Sequence, residues 1–347
     1  MLFIVINVQI LFARFVQGEC MAKAGKKSRS DHQSPVAPPS IPDGALFGIV
    51  VRAYGLWFDV KLRDDNRILM STIRGSVKRE RRGTDLVAVG DRVWAMDVGE
   101  GEGQIVSIEP RVRTLGRLAR HTRDVEQVIL ANPDQALFLF AWQEPEPHLR
   151  MLDRFLILAE SRDLPAIIGF NKVDDPESQI PLINAFLADY AEIYPIRLLS
   201  AATGFGIDTL MADLEGKVTV VAGPSGVGKS SLLNRLDPDG QRLIGDISDA
   251  TGKGRHTTTS TILYEINPQT FVADTPGIRA LALQGVRPED LPDCYPEFRP
   301  FLGNCFYHDC THLHEPGCAI LEAVAEGEIS RARYESYESL RRGDTSD

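Results

Sequence analysis

The chain has 347 residues, 43% hydrophobic and 25% charged, with a formal net charge of −10. That balance excludes a disordered or fibrous chain and allows two or three folded domains. Four of the five cysteines fall between 294 and 318, which excludes a disulfide framework spread through the fold, and no apolar run is long enough to span a bilayer.

Met1–Val16 is apolar but interrupted by Asn7, Gln9 and Arg14, and it mimics a signal peptide without a basic leader. Met21 opens a basic, Ser/Pro-rich segment and is an alternative start; residues 1–44 are expected to be a disordered leader. Five short strand-like runs follow, at 48–54, 57–62, 67–72, 91–96 and 103–108, separated by Gly, Asp and Asn turns. Five strands in so short a span suit an OB-type β-barrel over 45–112, with an SH3-like barrel as the alternative. Residues 21–123 carry 19 Lys+Arg against 12 Asp+Glu, whereas 124–347 carry 18 against 35. The acidic total argues against a nucleic-acid partner, but the split argues for one at the barrel. Arg74, Lys78, Arg79, Arg81 and Arg82 share one loop, Lys23, Lys26, Lys27 and Arg29 lie in the leader, and Trp57 and Phe58 are candidates for exposed aromatics that stack on bases, with a place in the core as the alternative for either.

The next motifs belong to a nucleotide site. The apolar strand 166–170 runs into Asn171-Lys172-Val173-Asp174. Asp174 is suited to accept two guanine N–H donors as a bidentate pair, and such pairs discriminate by about 1–3 kcal/mol against the wrong base. The stem of Lys172 would lie over the base, and Asn171 would tie this loop to the phosphate loop. Tyr194–Leu199 leads into Ser200-Ala201-Ala202-Thr203-Gly204, where Ser200 and Ala201 would present backbone N–H groups to the guanine carbonyl. Lys217–Ala222 reads as a buried strand before Gly223-Pro224-Ser225-Gly226-Val227-Gly228-Lys229-Ser230, and a helix starts near Ser231. This strand, Gly-rich turn and helix form a P-loop whose N–H groups face phosphate oxygens. Lys229 would reach the β- and γ-phosphates and the Ser230 hydroxyl would hold Mg²⁺. In Gly254–Thr259 either Thr258 or Thr259 would supply a second hydroxyl to Mg²⁺. Phe271–Ala273 runs into Asp274-Thr275-Pro276-Gly277, with Asp274 at Mg²⁺ through water and the Gly277 N–H at the γ-phosphate. An ordinary GTPase would place its Asn-Lys-x-Asp after the phosphate loop, and residues 278–347 hold none. The order here is that of a core cut and rejoined elsewhere, over 120–284. A P-loop kinase or ATPase is the alternative that Asp174 opposes, and a GTP-sensing RNA binder without turnover is another.

Cys305, Cys310, His312 and Cys318 lie within 14 residues, a set that suits one structural, tetrahedral Zn²⁺ in a lobe over 285–347. His308 and His314 are expected at the surface, and Cys20 and Cys294 as free thiols.

Together these residues resemble the RsgA (YjeQ) family of circularly permuted GTPases, over about 45–330. The likeness rests on Asn171–Asp174, Gly223–Ser230, Gly254–Thr259, Asp274–Gly277 and the Cys/His cluster around Glu315-Pro316-Gly317, with 126–135 similar to that family's lead-in to its GTPase domain. Leader residues 1–20 depart from it. The fold implied is α/β: a permuted P-loop GTPase domain with an N-terminal OB-type barrel and a C-terminal, mainly helical zinc lobe. The resemblance implies hydrolysis of GTP to GDP stimulated by the small ribosomal subunit, in late 30S biogenesis, with 16S rRNA bound near the decoding region through barrel and zinc lobe. It further implies a cytoplasmic monomer with no membrane contact. Ile278 stands where a water-orienting Gln is found in Ras-like proteins, so His256 is the candidate to orient water, beside Lys229 on the leaving charge. Because Asp274–Gly277 feeds straight into the lobe, loss of the γ-phosphate is expected to reposition it as a clamp on RNA.

Overall fold

Two-residue alternation builds the N-terminal part. In the computed structural model, which describes residues 41–75, 77, 86–118, 126–237, 261–274 and 286–344, strands β1 (Leu46–Tyr54), β2 (Trp57–Leu62), β3 (Ile68–Ile73), β4 (Arg92–Gly99) and β5 (Glu102–Ile108) close into a barrel in the order β1-β2-β3-β5-β4. β3 and β5 run parallel and the other pairs antiparallel, the OB-type arrangement; the SH3-like alternative falls away. Val50, Val60, Leu69, Val93 and Ile105 fill the interior. Of the two aromatic candidates, Trp57 is exposed, at 41%, and the strand period turns Phe58 into the core, at 4%. The basic positions 78, 79, 81 and 82, and those of the leader, lie outside the described residues.

A hairpin of β6 (Thr114–Leu118) and β7 (Glu126–Ala131) joins the barrel to a six-stranded sheet. Its strands are β8 (Gln135–Ala141), β9 (Ala166–Asn171), β10 (Ile196–Leu198), β11 (Val218–Ala222), β12 (Ile262–Asn267) and β13 (Thr270–Asp274), ordered β10-β9-β8-β11-β13-β12 and parallel except at the β12–β13 pair. β8 was not foreseen in the sequence and lies inside the sheet, all seven residues buried. Its alternate residues serve two cores: Ala136, Phe138 and Phe140 face one side, Leu137, Leu139 and Ala141 the other. The first core is covered by α1 (Leu149–Glu160), α2 (Pro176–Phe186) and α3 (Ala188–Ala191), the second by α4 (Ile207–Leu214) and α5 (Lys229–Leu236). Helices on both faces let a parallel sheet be apolar throughout.

The C-terminal lobe opens with three single 3₁₀ turns, Pro288–Asp290, Pro292–Cys294 and Pro296–Phe298, each begun by a proline whose fixed φ suits a first helical position. Two helices follow, α6 (Ala319–Glu326) and α7 (Arg331–Arg341), the latter capped by the Ser330 hydroxyl, which accepts from the Arg333 N–H. Tyr295, Phe298 and Tyr337 pack ring on ring in the core, with centroids 4.9–5.6 Å apart, and Ile157 of α1 joins them. No helix among the described residues is long and apolar enough to cross a membrane.

Candidate functional site

Four of the motifs follow the carboxyl ends of neighbouring parallel strands: Asn171 ends β9, Ser200 follows β10, Gly223 follows β11 and Asp274 ends β13. Parallel sheets gather ligand-binding loops along that edge. Asn171, 2% exposed, joins three of the loops. Its Nδ2 donates to the Val227 carbonyl at 2.8 Å and its Oδ1 accepts from the Ala201 N–H at 3.0 Å. The Ser200 hydroxyl donates to Asp174 Oδ1 at 2.5 Å and accepts from the Thr203 N–H at 3.0 Å, which orients the carboxylate. The segments carrying Asn171–Asp174 and Gly223–Ser230 are therefore adjacent in space although 56 residues separate the bonded Asn171 and Val227.

Packing explains the glycines. Gly228 adopts φ 91° and sits so near the Asn171 amide that no side chain fits, while a Cβ on Gly223 would overlap the Leu139 carbonyl oxygen. Val227 is fully buried and anchors the loop, leaving Ser225 and Gly226 exposed and Pro224 half-buried at its crest. The Lys229 amine donates to the Gly223 and Pro224 carbonyls at 3.0 and 2.7 Å, folding its stem over the cradle. Ser230 and Ser231 stand exposed in the first turn of α5, where unpaired N–H groups and the helix dipole favour an anion. His256, Thr258, Thr259 and Gly277 lie outside the described residues, and of Asp274 only the backbone is described.

At the second centre the ligand atoms of Cys305, Cys310, His312 and Cys318 lie within 4.8 Å of one another. His312 Nδ1 is 3.5 Å from Cys305 Sγ and 3.4 Å from Cys318 Sγ, and those two sulfurs are 4.0 Å apart. Bonds of about 2.3 Å to sulfur and 2.0–2.1 Å to nitrogen on a tetrahedron imply edges of about 3.6 and 3.8 Å, so the donors fit Zn²⁺. Burial pushes the Cys310 thiol up to about 12 and raises Cys318, while it lowers His312. Such a cluster favours a cation that can compensate thiolates. The Glu315 carboxylate knits the intervening loop, accepting from the Thr311 N–H at 2.8 Å, its hydroxyl at 2.5 Å, and the N–H groups of Leu313 and His314 at 3.1 and 3.2 Å. Tyr334 and Tyr337 donate to the His312 and Thr311 carbonyls. His308 and His314 are exposed, and Cys294 is a buried free thiol.

The model of the RsgA GTPase family matches residues 108–284. The chain is 43% identical over 298 residues to the small ribosomal subunit biogenesis GTPase RsgA of Gemmatimonas aurantiaca, covering 85% of this chain and 96% of that one. It is 38% identical over 304 residues to the protein of the same name from Chlorobaculum tepidum, with 85% and 97% covered. This chain belongs to the RsgA GTPase family. The crystal structure of YjeQ from Thermotoga maritima superposes with a TM-score of 0.72 at 31% identity, covering 87% of this chain and 99% of that one. YloQ, described as a circularly permuted GTPase, gives 0.69 at 26% identity, with 91% and 98% covered. As an RsgA-family chain it is a GTP-hydrolysing enzyme, and its strand and motif order is the permuted one.

The structure adds a segment to this RsgA-type site that the sequence did not suggest. The 142–148 loop after β8 lies beside both nucleotide loops: the Glu144 carbonyl accepts from the Lys172 amine, the Trp142 N–H donates to the Asn171 carbonyl at 3.0 Å, and Pro145 borders Gly226. Lys172 itself adopts φ 65°, an uncommon conformation for a side-chain-bearing residue. Nothing in Trp142–His148 marks it locally. The available signal was the unbroken apolar run of β8, which places its following loop at the same sheet edge.

Proposed function

We propose that this chain hydrolyses GTP to GDP and phosphate as a late-stage assembly factor of the small ribosomal subunit, and that the subunit stimulates turnover. The observation carrying this reading is Asn171, whose amide links the base loop, the carbonyl loop and the phosphate loop in a chain that visits the base loop first. Asp174, oriented by Ser200, reads guanine, with the Lys172 stem over the ring and the Ala201 N–H near its carbonyl. Gly223–Ser231 cradles the phosphates, and Lys229 exchanges its two loop carbonyls for phosphate oxygens. Mg²⁺ bound with GTP neutralises charge on the phosphate oxygens. Ser230, Asp274 and one of Thr258 and Thr259 hold it, and the Gly277 N–H meets the γ-phosphate. His256 orients the attacking water in the complex with the subunit.

In this reading the barrel (45–112) and the Cys/His lobe (285–347) flank the GTPase domain (120–284) and bind 16S rRNA, with Cys305, Cys310, His312 and Cys318 holding one structural Zn²⁺. The protein works as a cytoplasmic monomer. Support comes from the names of the relatives, from the exposed Trp57, and from the excess of Lys and Arg over 21–123 in the sequence.

The test is phosphate release with and without small subunits. Turnover alone should be on the order of 10⁻⁴ to 10⁻³ s⁻¹ and rise sharply with subunits. Absence of stimulation rejects the partner; stimulated kcat unchanged in His256→Ala rejects that residue's role. Asp174→Asn should weaken GTP selectively over ATP, and equal loss of both rejects the base assignment.

A further inference from the structure

Arg333 lies on α7 in a run, Arg331-Ala332-Arg333-Tyr334-Glu335-Ser336-Tyr337, that reads as a solvated helix, yet its side chain is 2% exposed. Its NH1 pairs with Asp153 Oδ1 of α1, itself 3% exposed, and its Nε donates to Glu297 Oε1 at 2.7 Å. The guanidinium is sandwiched between Tyr190 of α3 and Tyr295, 4.9 and 4.8 Å from the ring centroids. The Tyr190 hydroxyl donates to the same Asp153 Oδ1 at 2.8 Å. Burial opposes the Arg333 charge, and the Asp153 and Glu297 carboxylates outweigh it, so its pKa stands well above the usual value. Glu297 and Tyr295 belong to the Cys/His lobe, and Asp153 and Tyr190 to the GTPase domain. A charged side chain enclosed in this way holds its partners in one geometry.

Both GTPase partners lead to the base end of the nucleotide site. Asp153 is in the first turns of α1, which starts directly after the 142–148 loop that receives Lys172. Tyr190 is on α3, reached through α2, which begins two residues beyond Asp174. We propose that Arg333 is a positioning residue for guanine recognition: by clamping α1 to α3 it fixes the 142–148 loop against Lys172, so docking of the Cys/His lobe sets guanine-nucleotide affinity. This rests on the guanine site proposed above. It also places the lobe's fastening on the base half of the domain, so the swing expected from the chain order requires this buried pair to break.

The experiment titrates GDP bearing a fluorescent ribose substituent onto the full chain as wild type, Arg333→Met, Asp153→Asn, Asp174→Asn and the Arg333→Met/Asp174→Asn double variant, each checked for a native circular dichroism spectrum. Arg333→Met should lose affinity by about tenfold, equally for GDP and a non-hydrolysable GTP analogue, and the loss should shrink to about threefold or less when Asp174 is already changed. Where Arg333→Met does not fold, Asp153→Asn, whose side-chain oxygen still accepts from Tyr190, takes its place in the same cycle. Unchanged affinity in a folded variant overturns the proposal, and so does the same loss in both backgrounds, because a general destabilisation would be additive. Failure of the wild type to bind GDP instead removes the guanine assignment itself.

Discussion

The barrel and the Cys/His lobe are both seated on the GTPase sheet, by different physics. At the barrel, Val51 and Val89 enter the same core as Leu130 and Phe138, and the Ala131 N–H donates to the Val89 carbonyl at 2.8 Å. Gly90, at φ 87°, passes so close to the Ala131 carbonyl that no side chain fits, and the Asn132 side chain bridges the Gly90 carbonyl and the Val112 N–H. At the lobe, Ile157 is the residue α1 adds to the apolar core, and charge adds the buried Arg333 pair, the Arg299–Glu160 bridge of 2.5 Å and the looser Arg150–Asp344 pair at 3.9 Å. A seat made of backbone register has no second position that keeps its bonds. A seat made of charge holds one geometry as long as its charges are matched, and the lobe above it depends further on its Cys/His centre.

Chelation should therefore separate the two regions most. Zinc binding to a small lobe contributes about 10–16 kcal/mol, so removal of the proposed Zn²⁺ should make 286–344 sensitive to protease while the barrel and sheet stay protected. Equal protection of all three regions after chelation would erase the contrast. Arg111→Met probes the barrel from within. Arg111 binds Asp91 through two bonds of 2.7 Å, and Asp91 is fully buried. Leaving that carboxylate uncompensated should cost about 3–5 kcal/mol and lower the urea midpoint of the whole chain, because barrel and sheet share a core. A loss under about 1 kcal/mol would mean that this buried pair contributes no net stability to the barrel.

Much of this was readable in the chain, and the exceptions share a cause. The barrel strands follow from alternation and turns, and the adjacency of Asn171–Asp174 to Gly223–Ser230 follows from strand-then-loop context on a parallel sheet. The Cys/His set follows from spacing. Arg333 was not legible because a charged residue among Arg331, Glu335 and Glu338 reads as solvent-facing and its carboxylate partner lies 180 residues earlier, so only packing reveals its burial. The 142–148 loop escaped for the same reason, since its role depends on where β8 inserts in the sheet. Register decides between Trp57 and Phe58, because adjacent residues on a strand point to opposite faces.

A smaller effect sharpens the lobe side. Burial disfavours the Glu315 carboxylate, but the Thr311 hydroxyl and the loop N–H groups outweigh it and hold its pKa far below the usual range. Its contribution is thus present above the unfolded value of about 4.3 and is lost as pH falls below it. Glu315→Gln should remove about 1.5–3 kcal/mol of charge-assisted bonding and flatten the acid limb of lobe stability, read by tyrosine fluorescence against pH. An unaltered acid limb would assign that limb to other carboxylates.

The least expected effect lies at the barrel's rim. Lys61 of β2 meets Glu265 of β12 at 2.8 Å, beside a crevice of about 560 Å³ lined by Phe47, Arg63, Asp134 and Phe271. This pair spans the same two bodies as the Gly90–Ala131 contact but does not set their register. Lys61→Met keeps the stem packed and removes only the charge, so it should change stability by about 1 kcal/mol or less, screened further by salt. If it instead cost as much as Arg111→Met, the barrel too would be held by charge, and the distinction between the two seats would fail at the point where it is drawn.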